Sequence, residues 1–305
     1  MNFFGMFKGS AFKTIRLFKV DRLVDLGVAI SGDGRLAMVC EEGGHIGVWD
    51  PHSGKKSCTL SGLKGECIAL AVSPDGQMGL SGDSSGEMRL WKLNSGTCTA
   101  AWKGHDERIS CVAFAPDGRT AVSGSWDRTV KRWDLTSHEC LGTLRGHPAS
   151  VTSVAISPDG KLIISGGFKG AVRAFNTSGS NEGKVLPGQQ SIVTCVAISR
   201  DGRRFVAGGD DGLLSVGEIP LGKLEVLDIR RPISSIALSP NGLVAICGLE
   251  SGEIFNFDLV KQEGRVAVKL KGEVDHSAMG MSLSLTADGR YLLAGRASAV
   301  ALFRV

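Results

Sequence analysis

Short runs of alternating apolar and polar residues follow one another along nearly the whole chain, each cut off by a cluster of Gly, Pro, Asp and Ser. Alternation with a period of two predicts half-buried strands, and the clusters predict tight turns between them. The clearest stretch is Val122-Ser-Gly-Ser-Trp-Asp-Arg-Thr-Val-Lys-Arg-Trp-Asp-Leu135. It reads as two strands around a turn, with Gly124, Ser125 and Asp127 as turn residues. Upstream stand Gly104-His105, a strand from Ile109 to Phe114, and the turn Pro116-Asp117-Gly118.

This unit repeats. The glycine ending the Asp-Gly-like turn recurs at Gly34, Gly76, Gly118, Gly160, Gly202, Gly242 and Gly289, at intervals of 42, 42, 42, 42, 40 and 47 residues. A period in the low forties with four short strands per unit is that of a propeller blade. With Gly104-His105 and Trp133-Asp134 in the places of that family's Gly-His and Trp-Asp pairs, the chain resembles the WD40 repeat family from about Val24 to Val305. The resemblance implies an all-β, seven-bladed β-propeller with four-stranded antiparallel blades. It divides the chain into a basic, Phe-rich segment 1–11 and a single propeller 12–305, with repeats at about 24–60, 61–104, 105–146, 147–188, 189–229, 230–272 and 273–305. Repeat seven stops one strand short, so the strand at 12–20 is expected to complete the last blade and close the ring, which abolishes exposed edges.

Composition narrows the function. Glycine makes up 42 of 305 residues, as many tight turns require. The net charge of +4 is matched by Lys8, Lys13, Arg16 and Lys19 alone, so residues 21–305 are neutral overall and carry no nucleic-acid footprint. The Phe-rich start is compatible with packing on the rim or disorder, with an anionic membrane surface, or with targeting. Of eight cysteines, Cys58, Cys98 and Cys140 share one slot of successive repeats, and Cys67, Cys111 and Cys195 are assigned to another; both sets are expected to fill the core. No CxxC or histidine ligand pattern occurs, so no metal or cofactor is expected. Free thiols without a signal peptide point to a reducing, cytoplasmic location, and no apolar run is long enough to span a bilayer.

The family's structural device is a buried hydrogen-bonded tetrad, and repeat three supplies it as Trp133, Ser123, His105 and Asp127. Those groups are expected to satisfy one another rather than to catalyse. Repeat four keeps His147 and Ser165 but has Lys169 for Asp and Phe175 for Trp, and repeat two keeps Ser81 and Trp91 with Ser85 for Asp. Gly82-Asp-Ser-Ser-Gly86 matches a nucleophile elbow, which requires a strand running into a helix; here a strand follows. Ile229-Arg230-Arg231-Pro232 looks like the paired-arginine motif of phosphoinositide-binding propellers, with Pro232 in place of its glycine.

In this family the turns between second and third strands share one face with the connections from each fourth strand to the next first strand, and partners dock there. By repeat phase that face carries Trp126, Phe168, Lys169, Asp210, Glu42, Glu250 and Arg296, with Glu66, Arg108, Ser150, Ile192 and Met279. The expected function is therefore a non-catalytic scaffold binding a peptide or protein around Trp126, Arg108 and Phe168. The alternative is a membrane-associated propeller using Arg230, Arg231 and the N-terminal segment on anionic lipid.

Overall fold

The computed structural model describes residues 12–19, 27–179, 181–187, 189–269, 281–296 and 299–305. The Phe-rich segment 1–11 and Met279 lie outside the described residues. Within them the chain forms seven four-stranded antiparallel sheets arranged as a ring. Blade 3 is typical, with strands Ile109–Phe114, Thr120–Ser125, Val130–Asp134 and Cys140–Leu144 in that order. The first strand of every blade lines an axial channel, and the fourth lies outermost. Ring closure follows the expected route: Lys13–Lys19 pairs antiparallel with Ala299–Arg304, with Lys13 opposite Arg304 and Thr14 opposite Phe303. Phe12 is buried there, its ring centroid 6.4 Å from that of Phe303.

The turn between first and second strands is built the same way each time. At Gly34 and Gly118, φ is 75° and 65°, a region that costs any residue with a Cβ. The preceding Ser or Thr hydroxyl usually locks the turn, as Ser199 donates to Asp201 Oδ1 at 2.6 Å.

Gly124 and Ser125 are not turn residues. Both lie in the second strand, and a Cβ on Gly124 would sit 2.6 Å from Val151 Cγ1 in blade 4. The same lock sets Gly82 against Ile109, Gly166 against Val193, and Gly208 against Ile233. Glycine is thus used here for closeness of approach between sheets rather than for backbone freedom. Each apolar cluster accordingly spans two blades, as Val122 and Val130 pack with Val151, Ile163 and Phe175. Burying one such side chain stabilises by roughly 1.5–3 kcal/mol. Hydroxyls bind the inner strands together as well: Ser110 Oγ donates to Val151 O at 2.6 Å, and Thr194 Oγ1 to Ile233 O at 2.7 Å.

The cysteines depart from expectation in three ways. Cys98 and Cys140 are exposed on fourth strands, so that slot is not a core slot. Cys67 pairs opposite Asp83 as Ile109 pairs opposite Ser125, which puts it in the slot of Ile109 rather than of Cys111 and Cys195. It is joined by a disulfide to Cys40 of blade 1, Cα to Cα 5.6 Å. The remaining six thiols are free, so the inference of a reducing compartment from eight free thiols loses its premise at this pair.

The weaker repeats repack. Opposite Trp133 stands Ala121, whereas opposite Gly217 in blade 5 stands Phe205, whose ring fills the space a Gly217 side chain would take. The bulk has moved across one strand pair.

Candidate interaction face

In blades 2 to 6 the second-to-third-strand turn is hydrogen-bonded to the loop entering the same blade, which sets the two predicted groups of residues side by side. Trp126 N donates to Arg108 O at 3.0 Å, Phe168 N to Ser150 O at 3.0 Å, and Asp210 N to Ile192 O at 3.1 Å. In blades 2 and 5 the turn side chain returns a second bond, because Glu66 N donates to Ser84 Oγ and Ile192 N to Asp210 Oδ1, both at 2.9 Å. Trp126 and Phe168 occupy the same position and offer no acceptor. Their rings therefore contribute nothing to the turn's own hydrogen bonding.

Trp126 is 42 % exposed, and the Arg108 guanidinium lies over its ring at 5.1 Å from the centroid. A cation held flat on an indole is attracted by the ring's quadrupole. Phe168 is half-buried in the next blade, beside the exposed Lys169. Arg128, which the sequence reading passed over, is exposed two residues beyond Trp126 and has φ of 69°. Its counterparts Gly44, Gly86, Gly170, Gly212 and Gly252 are all glycines at positive φ. A residue with a Cβ costs about 1–2 kcal/mol in that conformation. The signal was present in the repeat alignment as an arginine in a glycine column.

Other predicted face residues are engaged locally. Asp210 caps Ile192 as above. Arg296 is half-buried and donates from Nη2 to Glu250 O at 2.9 Å, folding against the Gly252 turn. Arg230 and Arg231 turn to different partners: Arg231 Nη1 donates to Glu253 Oε2 at 2.8 Å and its guanidinium lies 5.2 Å from the Phe255 centroid. Arg230 is exposed, with Asp228 at 3.8 Å.

Beneath the face lies the tetrad of blade 3. Trp133 Nε1 donates to Ser123 Oγ at 2.8 Å, Ser123 Oγ lies 2.7 Å from His105 Nε2, and His105 Nδ1 lies 2.7 Å from Asp127 Oδ2. One tautomer uses every donor, with Nδ1–H to the carboxylate and Nε2 accepting the serine hydroxyl. Burial alone would raise the Asp127 pKa, but the hydrogen bonds from His105 and Thr129 outweigh it and hold the carboxyl well below the usual range. Ser123 is 0 % and His105 1 % exposed, so both groups are closed off from solvent within the blade. In blade 4, His147 Nε2 lies 2.6 Å from Ser165 Oγ while its buried Nδ1 has no partner, Lys169 having replaced the aspartate. Burial, then the nearby Arg173 charge, pushes His147 down to about 4.

The elbow-like run 82–86 joins two strands, Met78–Asp83 and Glu87–Lys92, with no helix. Among the described residues no cluster of His, Cys, Asp or Glu could hold a metal, and no helix is long and apolar enough to cross a membrane.

Fold and face together define a closed seven-bladed β-propeller with an aromatic, basic patch over blades 3 and 4. A family model described as WD domain, G-beta repeat matches residues 96–134, 138–176 and 180–216. Each match begins near the fourth strand of one blade and ends in the third strand of the next, so every sequence repeat stitches two blades. The chain thus carries three WD40 repeats recognisable in sequence within a ring of seven blades. No curated protein matches the sequence. Propellers of this class typically serve as platforms for protein partners and are generally non-catalytic.

Proposed function

We propose that the protein is a non-catalytic interaction scaffold that holds a peptide or protein partner on the face formed by Trp126, Arg108 and Phe168, with Lys169 and Arg128 at its border. The observation that carries this reading is the exposed, arginine-stacked Trp126 at a turn position where blades 2 and 5 use a small acceptor. Large aromatics and arginine are the residues that dominate binding energy at interfaces. Arg128, held at positive φ two residues beyond Trp126, supports the same reading, since backbone strain concentrates at functional sites.

The test is a comparison of what wild type and a Trp126→Ala, Phe168→Ala double variant retain from the native cell lysate, after both are shown to unfold at similar temperatures. The scaffold reading expects a specific protein to be lost with the double variant and the same protein to bind purified wild type directly. An unchanged captured set overturns it.

A further inference from the structure

The channel opens on the face opposite Trp126 through a mouth formed by the second residue of each first turn. Those residues are Gly32, Pro74, Pro116, Pro158, Arg200, Pro240 and Ala287. Prolines stiffen four of the seven positions, and blade 5 alone places a charge there. Behind the mouth lies a cavity of about 640 Å³ lined by first-strand residues of six blades together with Arg200. Further along the axis a second space of about 370 Å³ is lined by Ser110, Thr152, Thr194 and Ser234 among others.

Arg200 is the single charged residue lining either space among the described residues. The thiols of Cys111 and Cys195, which line the second space, are pushed up to about 12 by burial and stay neutral. Arg200 makes no ion pair or side-chain hydrogen bond among the described residues. Its guanidinium reaches toward the far side of the mouth, where Nη2 would lie 3.9 Å from a Cβ on Gly32 of blade 1. The adjacent Asp201 is turned away into its own turn, accepting from Ser199 Oγ at 2.6 Å and Arg203 N at 3.0 Å. Asp33, next to Gly32, is held likewise by Ser31 Oγ at 2.6 Å and Arg35 N at 3.0 Å.

An unpaired cation at the entrance of an otherwise uncharged cavity focuses its field inward. The first strands are also inner sheet edges with one neighbour each, so backbone donors and acceptors face the channel. We propose that this half of the channel binds a small organic anion, a carboxylate or phosphate monoester, with its charged end on Arg200 and a hydrogen-bonding body against the first strands. The site is independent of the aromatic face.

Calorimetric titration of the full chain at low salt with citrate and with glycerol 3-phosphate tests it, with glycerol as the neutral control. One anion per chain is expected, weakened about tenfold or more by Arg200→Pro, a change of about 1.4 kcal/mol, and partly retained by Arg200→Lys. Proline is the residue at four equivalent mouth positions, so the fold is expected to tolerate it, and unchanged thermal unfolding checks this. The Trp126→Ala, Phe168→Ala variant should bind the anion as wild type does. Absence of binding by both anions at concentrations on the order of 10 mM, equal binding to Arg200→Pro, or equal binding of glycerol would each overturn the proposal.

Discussion

Cys40 meets Cys67 where the five interfaces from blade 2 to blade 7 set a glycine against a larger apolar side chain. Cys40 holds the slot of Gly82, Gly124, Gly166, Gly208 and Gly248, and Cys67 holds that of Ile109, Val151, Val193, Ile233 and Met281. A third exchange admits the extra sulfur: Gly27 pairs opposite Cys40 where Cys111 pairs opposite Gly124, and a Cβ on Gly27 would lie 2.6 Å from Cys40 Sγ. Three substitutions have together replaced a steric lock by a covalent one.

The disulfide closes a loop with a sequence separation of 27, so chain entropy alone predicts that reduction, or Cys67→Ser, costs about 3–4 kcal/mol. The double variant Cys40→Gly, Cys67→Ile rebuilds the lock of the other interfaces and should regain about half of that or more. Denaturant titration measures both. Thiol titration of the unfolded chain should find six groups without reductant and eight with it.

The tetrad predicts a contrast between equivalent serines. Ser123→Ala leaves both an indole N–H and a histidine nitrogen unpaired in the core, at about 1–3 kcal/mol for each group. Ser165→Ala strands only His147, because Phe175 has no donor, and should cost about half as much. Equal losses from the two variants would mean that the Trp133 bond carries little.

His147 makes stability depend on pH. Its folded pKa of about 4 lies below the ordinary value of 6.5, so the neutral form is favoured by folding. The resulting stability is complete above pH 6.5 and is lost as pH falls toward 4. At most about 3 kcal/mol is involved. His147→Gln should flatten unfolding free energy across that window, while Asp127, whose pKa is depressed, keeps its contribution until pH falls below its unfolded value near 3.8.

The period of the repeat was legible because it is written in local spacing, whereas ring closure by the N-terminal strand and the residues of the tetrad followed from the resemblance to the WD40 family. What escaped was a matter of who faces whom across blades. Gly124 looks like any turn glycine until Val151 is placed against it, and Cys67 sits two residues from the slot that its cysteine neighbours suggest. Arg296 and Asp210 read as free face residues because their partners are a distant carbonyl and a backbone N–H, neither of which has a sequence signature. Arg231 was paired in sequence with Arg230 and in space with Glu253.

The face can be separated from the fold by two exchanges toward what other blades use. Trp126→Ser restores the acceptor found at Ser84, and Arg128→Gly relieves a positive φ. Each should leave stability unchanged or raise it, Arg128→Gly by about 1 kcal/mol, while weakening the partner. A clear loss of unfolding temperature in Trp126→Ser would show instead that the ring supports its own blade.

Blade 5 offers the strictest test of how a degenerate repeat survives. Phe205 is 1 % exposed and fills the room left by Gly217, so Phe205→Ala should open a cavity costing about 3–5 kcal/mol. Gly217→Trp alone should also destabilise, since the ring of Phe205 already occupies the space. Combined, the two changes recreate the Ala121 and Trp133 arrangement of blade 3 and should recover much of the loss, a coupling of about 2–3 kcal/mol in a double-mutant cycle. Recovery stops short because Ala207 stands where Ser123 accepts the indole N–H. Adding Ala207→Ser should then return about 1 kcal/mol more. Additive losses in the cycle would show that Phe205 and Gly217 do not trade volume.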